Sequence, residues 1–146
     1  MILAKCICEK QIATSKDDFI KRQTALKKDC KHIYYPGEIT QSHNGQDILS
    51  CVPLNLIYDC LKYGLYIAIV ECDCDTSDSY HIGTPIKNKI DSSWQKTIKI
   101  MSADCKETID FVFNEVKEPS LISTGYLSLL SEDNRKYFRI KLNSIE

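Results

Sequence analysis

Three observations predict an α+β fold, in which one domain spanning residues 1–146 carries a mixed or mainly antiparallel sheet packed with about three helices. The run "LYIAIVEC" is almost wholly apolar, as in a strand buried on both faces. Segments of alternating polarity stand at both ends of the chain. The helix-like segments fall between strands joined by turn signals, without the regular spacing of a βαβ array.

In chain order, "MILAKCICE" alternates as a first strand, with Ile2, Ala4, Cys6 and Cys8 on one face and Leu3, Lys5, Ile7 and Glu9 on the other. "TSKDDFIKRQTALKKDC" reads as a helix. Thr14 or Ser15 can cap it, Asp17 and Asp18 suit its positive end, and Lys27 and Lys28 suit its negative end. Phe19, Ile20, Leu26 and Cys30 would then face inward. "EITQSHNGQDILSC" centres on Asn44-Gly45, the pair that best tolerates a type I′ turn, and predicts a hairpin.

Pro53 suits the first turn of a helix over "PLNLIYDCLKYG", capped by Gly64, with Leu54, Ile57, Tyr58 and Leu61 as its apolar stripe. "LYIAIVEC" follows as the central strand. After an irregular stretch from Asp75 to about Ser93, "WQKTIKIM" reads as a strand. "SADCKETIDFVFNEV" reads as a helix capped by Ser102, with Ile109, Val112, Phe113 and Val116 inward and Pro119 as its stop. "KYFRIKLNSI" opposes Phe138, Ile140 and Leu142 to Tyr137, Arg139 and Lys141, predicting a half-buried strand paired with Leu121 to Leu130.

Nineteen basic and twenty acidic residues nearly cancel, so the overall field does not indicate nucleic acid or an anionic membrane as partner. "MILAKCICEK" lacks the apolar core of a signal peptide, and "GLYIAIV" is far short of the roughly 20 residues of a membrane span. A soluble, cytoplasmic protein is expected, with its eight cysteines acting as thiols rather than as a disulfide framework.

Several constellations could carry chemistry. Cys6, Cys8, Cys72 and Cys74 form two C-x-C pairs, and four thiolates can hold zinc if the two strands are neighbours. Buried thiols are the plainer reading, because zinc sites more often use C-x₂₋₄-C on a curling turn. His32 follows Cys30 and could serve as ligand or acid-base group, given a second residue to fix its tautomer.

The acidic run Glu71, Asp73, Asp75 and Asp78 fails as a calcium loop. Counted from Asp73, the sixth position is Asp78 instead of glycine and the twelfth is Thr84 instead of glutamate. It reads as a charged strand end leading into a loop. No Gly-rich phosphate loop, G-x-S-x-G elbow or H-E-x-x-H helix occurs. Eight tyrosines, with "IYYPGE" foremost, instead suit a protein interface wherever they lie exposed.

Between Tyr35 and Glu115, "YYPGEI", "ILSC", "CLKYG", "YIAIVE" and "KTIKIM" occur in an order that resembles an uncharacterised domain of phages, large viruses and bacteria. That domain is sometimes joined to pentapeptide repeats, and here "VPLN" replaces its G-F-H or G-I-H element. The resemblance implies a phage-like or mobile-element context and no particular activity. "CLKYGLYIAIVE" also looks like the core of small ADP-ribosyltransferase-like folds. That likeness implies His32, Tyr34 and Glu71 as catalytic candidates, with NAD as substrate.

The function expected from these residues is that of a small cytosolic interaction protein, an inhibitor, immunity or accessory factor that binds a protein partner without catalysis. The alternatives are an ADP-ribosyltransferase-like enzyme and a zinc-stabilised binding module.

Overall fold

The computed structural model describes residues 2–24, 32–41, 49–59, 61, 65–72, 90–116, 118–122 and 124–144. Strands β1 (Ile2–Ile7), β2 (Ile39–Gln41), β3 (Leu49–Pro53), β4 (Tyr66–Glu71), β5 (Ile90–Ser92) and β6 (Trp94–Ser102) pair in the order β2-β6-β4-β1-β3-β5. Every one of these pairings is antiparallel. Helices α1 (Lys16–Thr24), α2 (Lys106–Glu115), α3 (Thr124–Leu129) and α4 (Glu132–Asn143) complete an α+β fold.

The apolar run places β4 at the centre, between β1 and β6, because only there are both of its faces covered. Ile67 and Ile69 pack on one side with Ala4, Met101, Ile109, Val112, Tyr126 and Phe138, under the helical layer. Ala68, Val70 and Cys72 pack on the other side with Leu3, Ile7, Cys51 and Tyr34. Alternation along one strand thus sorts its residues into two cores.

The inner face, that of Ala68 and Val70, is enclosed by the sheet itself. Ser93 alone separates β5 from β6, so the flanking Cα atoms lie within about 8 Å. In a flat sheet, four strand spacings of about 4.8 Å would lie between those two strands. The end carrying β3 and β5 must therefore fold back across the inner face, where Cys51 joins the core. A hydrogen bond of 3.1 Å from Gln95 Nε2 to Ser92 Oγ ties the turn.

α1 begins as the sequence predicts. Ser15 Oγ accepts the Asp18 amide hydrogen at 3.0 Å, and the Thr14 N–H donates back to Asp18 Oδ2 at 2.9 Å. Phe19 turns inward against Ala13 and Ile33, but Ile20 is half exposed, since one large apolar position per turn suffices for so short a helix. Leu26, Cys30, Asn44, Gly45 and Gly64 lie outside the described residues.

Three expectations are corrected. The strands that flank the predicted Asn44-Gly45 turn, β2 and β3, are not partners: β2 pairs with β6, and β3 with β1 and β5. A turn signal fixes where the chain can reverse; burial of Thr40 and Cys51 on distant strands decides the partners. Over Leu54–Asp59 the chain is a 3-10 helix that follows β3, and Pro53 is the last residue of that strand.

The C-terminal segment is helical, not extended. Positions 134, 137, 138 and 141 are its less exposed ones, the i, i+3, i+4, i+7 stripe of a helix, whereas Ile140 is 70% exposed. Phe138 meets Phe113 and Tyr126 edge-on, with ring centroids at 5.2 and 5.8 Å. Its expected hairpin partner is α3 and the preceding 3-10 turn, Pro119–Leu121.

Candidate functional site

Two places on the sheet hold the residues singled out from the sequence, one on each face. On the inner face, Tyr34 lies buried where the segment after α1 crosses the sheet. Its backbone N–H donates to Gln11 O at 2.7 Å, and Tyr34 O accepts from the Ala13 N–H at 3.0 Å. The nearby His32 is half-buried, and its carbonyl oxygen accepts from Gln11 Nε2 at 3.3 Å.

Lys5 reaches this point from β1. Its ammonium donates to the Tyr34 hydroxyl and, at 3.1 Å, to Gln95 Oε1. The same nitrogen lies 4.3 Å from the Tyr34 ring centroid. In register, Lys5 stands beside Ala68, whose small side chain leaves room for the lysine stem. Burial, followed by the adjacent Cys51, pushes the Tyr34 hydroxyl well above the ordinary phenol range. The phenol therefore stays protonated at neutral pH. Chemically the cluster is a tie: one cation bridges β1, the crossing segment and β6.

Glu71 lies elsewhere. Its neighbours Val70 and Cys72 pack in the inner core with Tyr34, so its own side chain points to the opposite face and is exposed. The sheet separates Tyr34 from Glu71, so the His32, Tyr34 and Glu71 trio is not assembled at one point.

The four-cysteine zinc site needs β1 and β4 side by side, and they are. Their register, however, sets Cys6 opposite Ile67, at the far end of β4 from Cys72. Five residue steps at about 3.4 Å put roughly 17 Å between the two positions. Cys6 also packs toward the helical core and Cys72 toward the inner one. Cys8 follows β1 at the Cys6 end, and Cys74 lies outside the described residues. Among the described residues, no group of three or more His, Cys, Asp or Glu side chains could hold a metal ion.

The outer face carries the second place. Among the described residues, the helices cover one end of it, over Ile67, Cys6 and Met101. Beyond them, one row crosses four strands in register: Ile2 faces Glu71, Glu71 faces Lys96, and Lys96 faces Ile39. Directly opposed residues share a face, so all four point outward together. Ile2 is 53% and Ile39 46% exposed, and the two charges between them are exposed as well.

A bulge in β6 beside Ile69 and Val70 adds the exposed Ile98 next to this row. Among the described residues, neither Glu71 nor Lys96 has an ion pair or a side-chain hydrogen bond. Sequence reasoning singled out Glu71 but missed Ile2, Lys96 and Ile39 as its companions. Nothing local links them, because the row exists only through the pairing of four distant strands.

No helix among the described residues is long and apolar enough to cross a membrane. No family model, no curated protein and no solved structure matches the chain.

Proposed function

We propose that this chain is a small, non-enzymatic interaction protein that docks a protein partner on the uncovered end of its outer sheet face. One observation carries the reading: the in-register row Ile2, Glu71, Lys96 and Ile39, exposed together on a face whose other end is packed. Large aliphatic side chains grouped on a solvated sheet face gain stability when a partner removes them from water. Two opposite charges between them give such a partner orientation and selectivity rather than bulk affinity. An inhibitor, immunity or accessory factor works in this way.

A photo-crosslinking residue placed at position 39 or 96 tests the reading in the cell that makes the protein. It should yield protein adducts that the same probe at Glu107, on the exposed side of α2, does not. Adduct patterns that are the same at all three positions would remove the case for this face.

A further inference from the structure

We propose that the inner sheet face binds a chloride ion, held between Tyr34 and β6 by the hydroxyls of Tyr34 and Thr97, the Gln95 amide and the Lys5 ammonium. The site lies on the opposite side of the sheet from the outer row and does not depend on it.

Register brings the four groups to one place. Gln95 and Thr97 flank the exposed Lys96, so both point inward, and neither has any exposed surface. Two residue steps of about 3.4 Å separate them. Thr97 stands opposite Val70, which packs with Tyr34 in the inner core. Lys5 arrives from β1 and donates both to Gln95 Oε1, at 3.1 Å, and to the Tyr34 hydroxyl.

A count of hydrogens selects the ligand. Thr97 Oγ1 has no hydrogen-bond partner among the described residues, although its side chain is fully buried. The Tyr34 oxygen accepts from Lys5, but among the described residues nothing accepts the Tyr34 hydrogen. Gln95 Nε2 spends one of its two hydrogens on Ser92 Oγ. Three hydrogens therefore lack an acceptor, whereas only the Thr97 oxygen lacks a donor. Buried donors are almost always paired. A ligand that only accepts, and carries negative charge to set beside an ammonium, satisfies all three; a water offers as many donors as acceptors.

Packing narrows the choice to a small ion. Leu3, Ile7, Cys51, Ala68 and Val70 form the apolar wall, each at most 3% exposed. Walls packed this closely favour a monatomic anion over a phosphate or a carboxylate, and a single charge costs less to desolvate than a double one. Lys5 is half-buried, which keeps the cluster within reach of solvent.

The test is thermal melting with sodium chloride exchanged for sodium gluconate at a constant ionic strength of about 0.3 M, which holds screening fixed. Wild type should melt about 4 °C higher in chloride, the gain growing with the logarithm of chloride concentration once the site fills. Thr97→Val keeps the side-chain shape but removes one donor, and should retain less than about half of that gain. In gluconate the variant should be at least as stable as wild type, because no hydroxyl is then left unpaired. Wild-type crystals soaked in bromide should give an anomalous peak within about 3.5 Å of both Thr97 Oγ1 and the Tyr34 oxygen. Equal gains in the two proteins, or a bromide map without a peak at that point, would overturn the proposal.

Discussion

Ile67 and Glu71 stand on the same side of the same strand, yet one is sealed under helices and the other faces water. The two ends of the outer sheet face, separated by the bulge in β6, differ in the elements packed against them. At the Ile67 end, α2 and α4 bring Ile109, Val112 and Phe138 onto Cys6 and Met101. At the Glu71 end no described element arrives, and Ile2 and Ile39 remain half exposed. Burying an isoleucine contributes about 1.5–3 kcal/mol. The covered end has gained that stabilisation in folding; at the uncovered end Ile2 and Ile39 have not. Substitutions at the two ends should differ accordingly.

The largest effect is expected at the covered end, in the helix that closes it. Phe138→Ala removes the ring between Phe113 and Tyr126 and should lower unfolding free energy by about 3–5 kcal/mol, read from urea denaturation. Ile140→Ala, two residues on, should cost less than about 0.5 kcal/mol, because that side chain is solvated. Equal losses at the two positions would contradict the helical stripe and favour the alternating strand.

A matched pair compares the two ends directly. Ile67→Ala should destabilise the chain by about 2–5 kcal/mol, whereas Ile39→Ala should fall within about 0.5 kcal/mol. The second substitution should leave the denaturation midpoint unmoved. A large loss from Ile39→Ala would mean that the outer row is part of the monomer's core rather than a free face.

Where burial is continuous and local, the sequence is legible. The run from Tyr66 to Glu71 announces a central strand because four adjacent apolar residues admit no exposed side. Ser15 and Asp18 announce the start of α1 because capping involves neighbours in the chain. The C-terminal helix misleads because Phe138, Ile140 and Leu142 alternate by chance, while the positions that pack include Asn134, Tyr137 and Lys141, which hydropathy does not flag. The same limit hides the outer row. Ile2, Glu71, Lys96 and Ile39 come from four strands, and only their registers, set by long-range pairing, line them up. Lys5 and Gln95 are hidden in the same way on the inner face.

A smaller effect is expected where the helical layer is pinned to the sheet. Asp104, just after β6, accepts from the Ser131 N–H at 2.9 Å and from Asn134 Nδ2 at 2.6 Å, at the first turn of α4. Asp104→Ala leaves that turn without its external acceptor and should cost about 1 kcal/mol. The loss should be visible as faster amide exchange at the start of α4, with the outer row unaffected. Uniform acceleration across the sheet would mean that Asp104 supports more than the helix start.

The smallest effect is a pH dependence confined to the same junction. Hydrogen bonding from Asn134, then from the Ser131 backbone, holds the Asp104 carboxyl below its usual range; the Lys141 ammonium, then the Tyr137 hydroxyl, does the same for Asp110. A carboxyl whose folded pKa is depressed stabilises the fold above its unfolded value, near 3.8, and loses that contribution as pH falls through the folded one. Wild type should therefore exceed Asp104→Asn in stability by a constant margin above about pH 5, and the margin should close as pH drops below about 4. Asparagine keeps an acceptor oxygen, so the difference isolates the charge. Asp104 is solvent-exposed and Asp110 partly so, which screens the effect and keeps it small. A margin that widened toward acid would mean that the carboxyl is destabilised at neutral pH, the reverse of what its hydrogen bonds dictate. Ile39→Asp should behave otherwise: its added carboxylate lies on the solvated outer face, so acid should change its stability little.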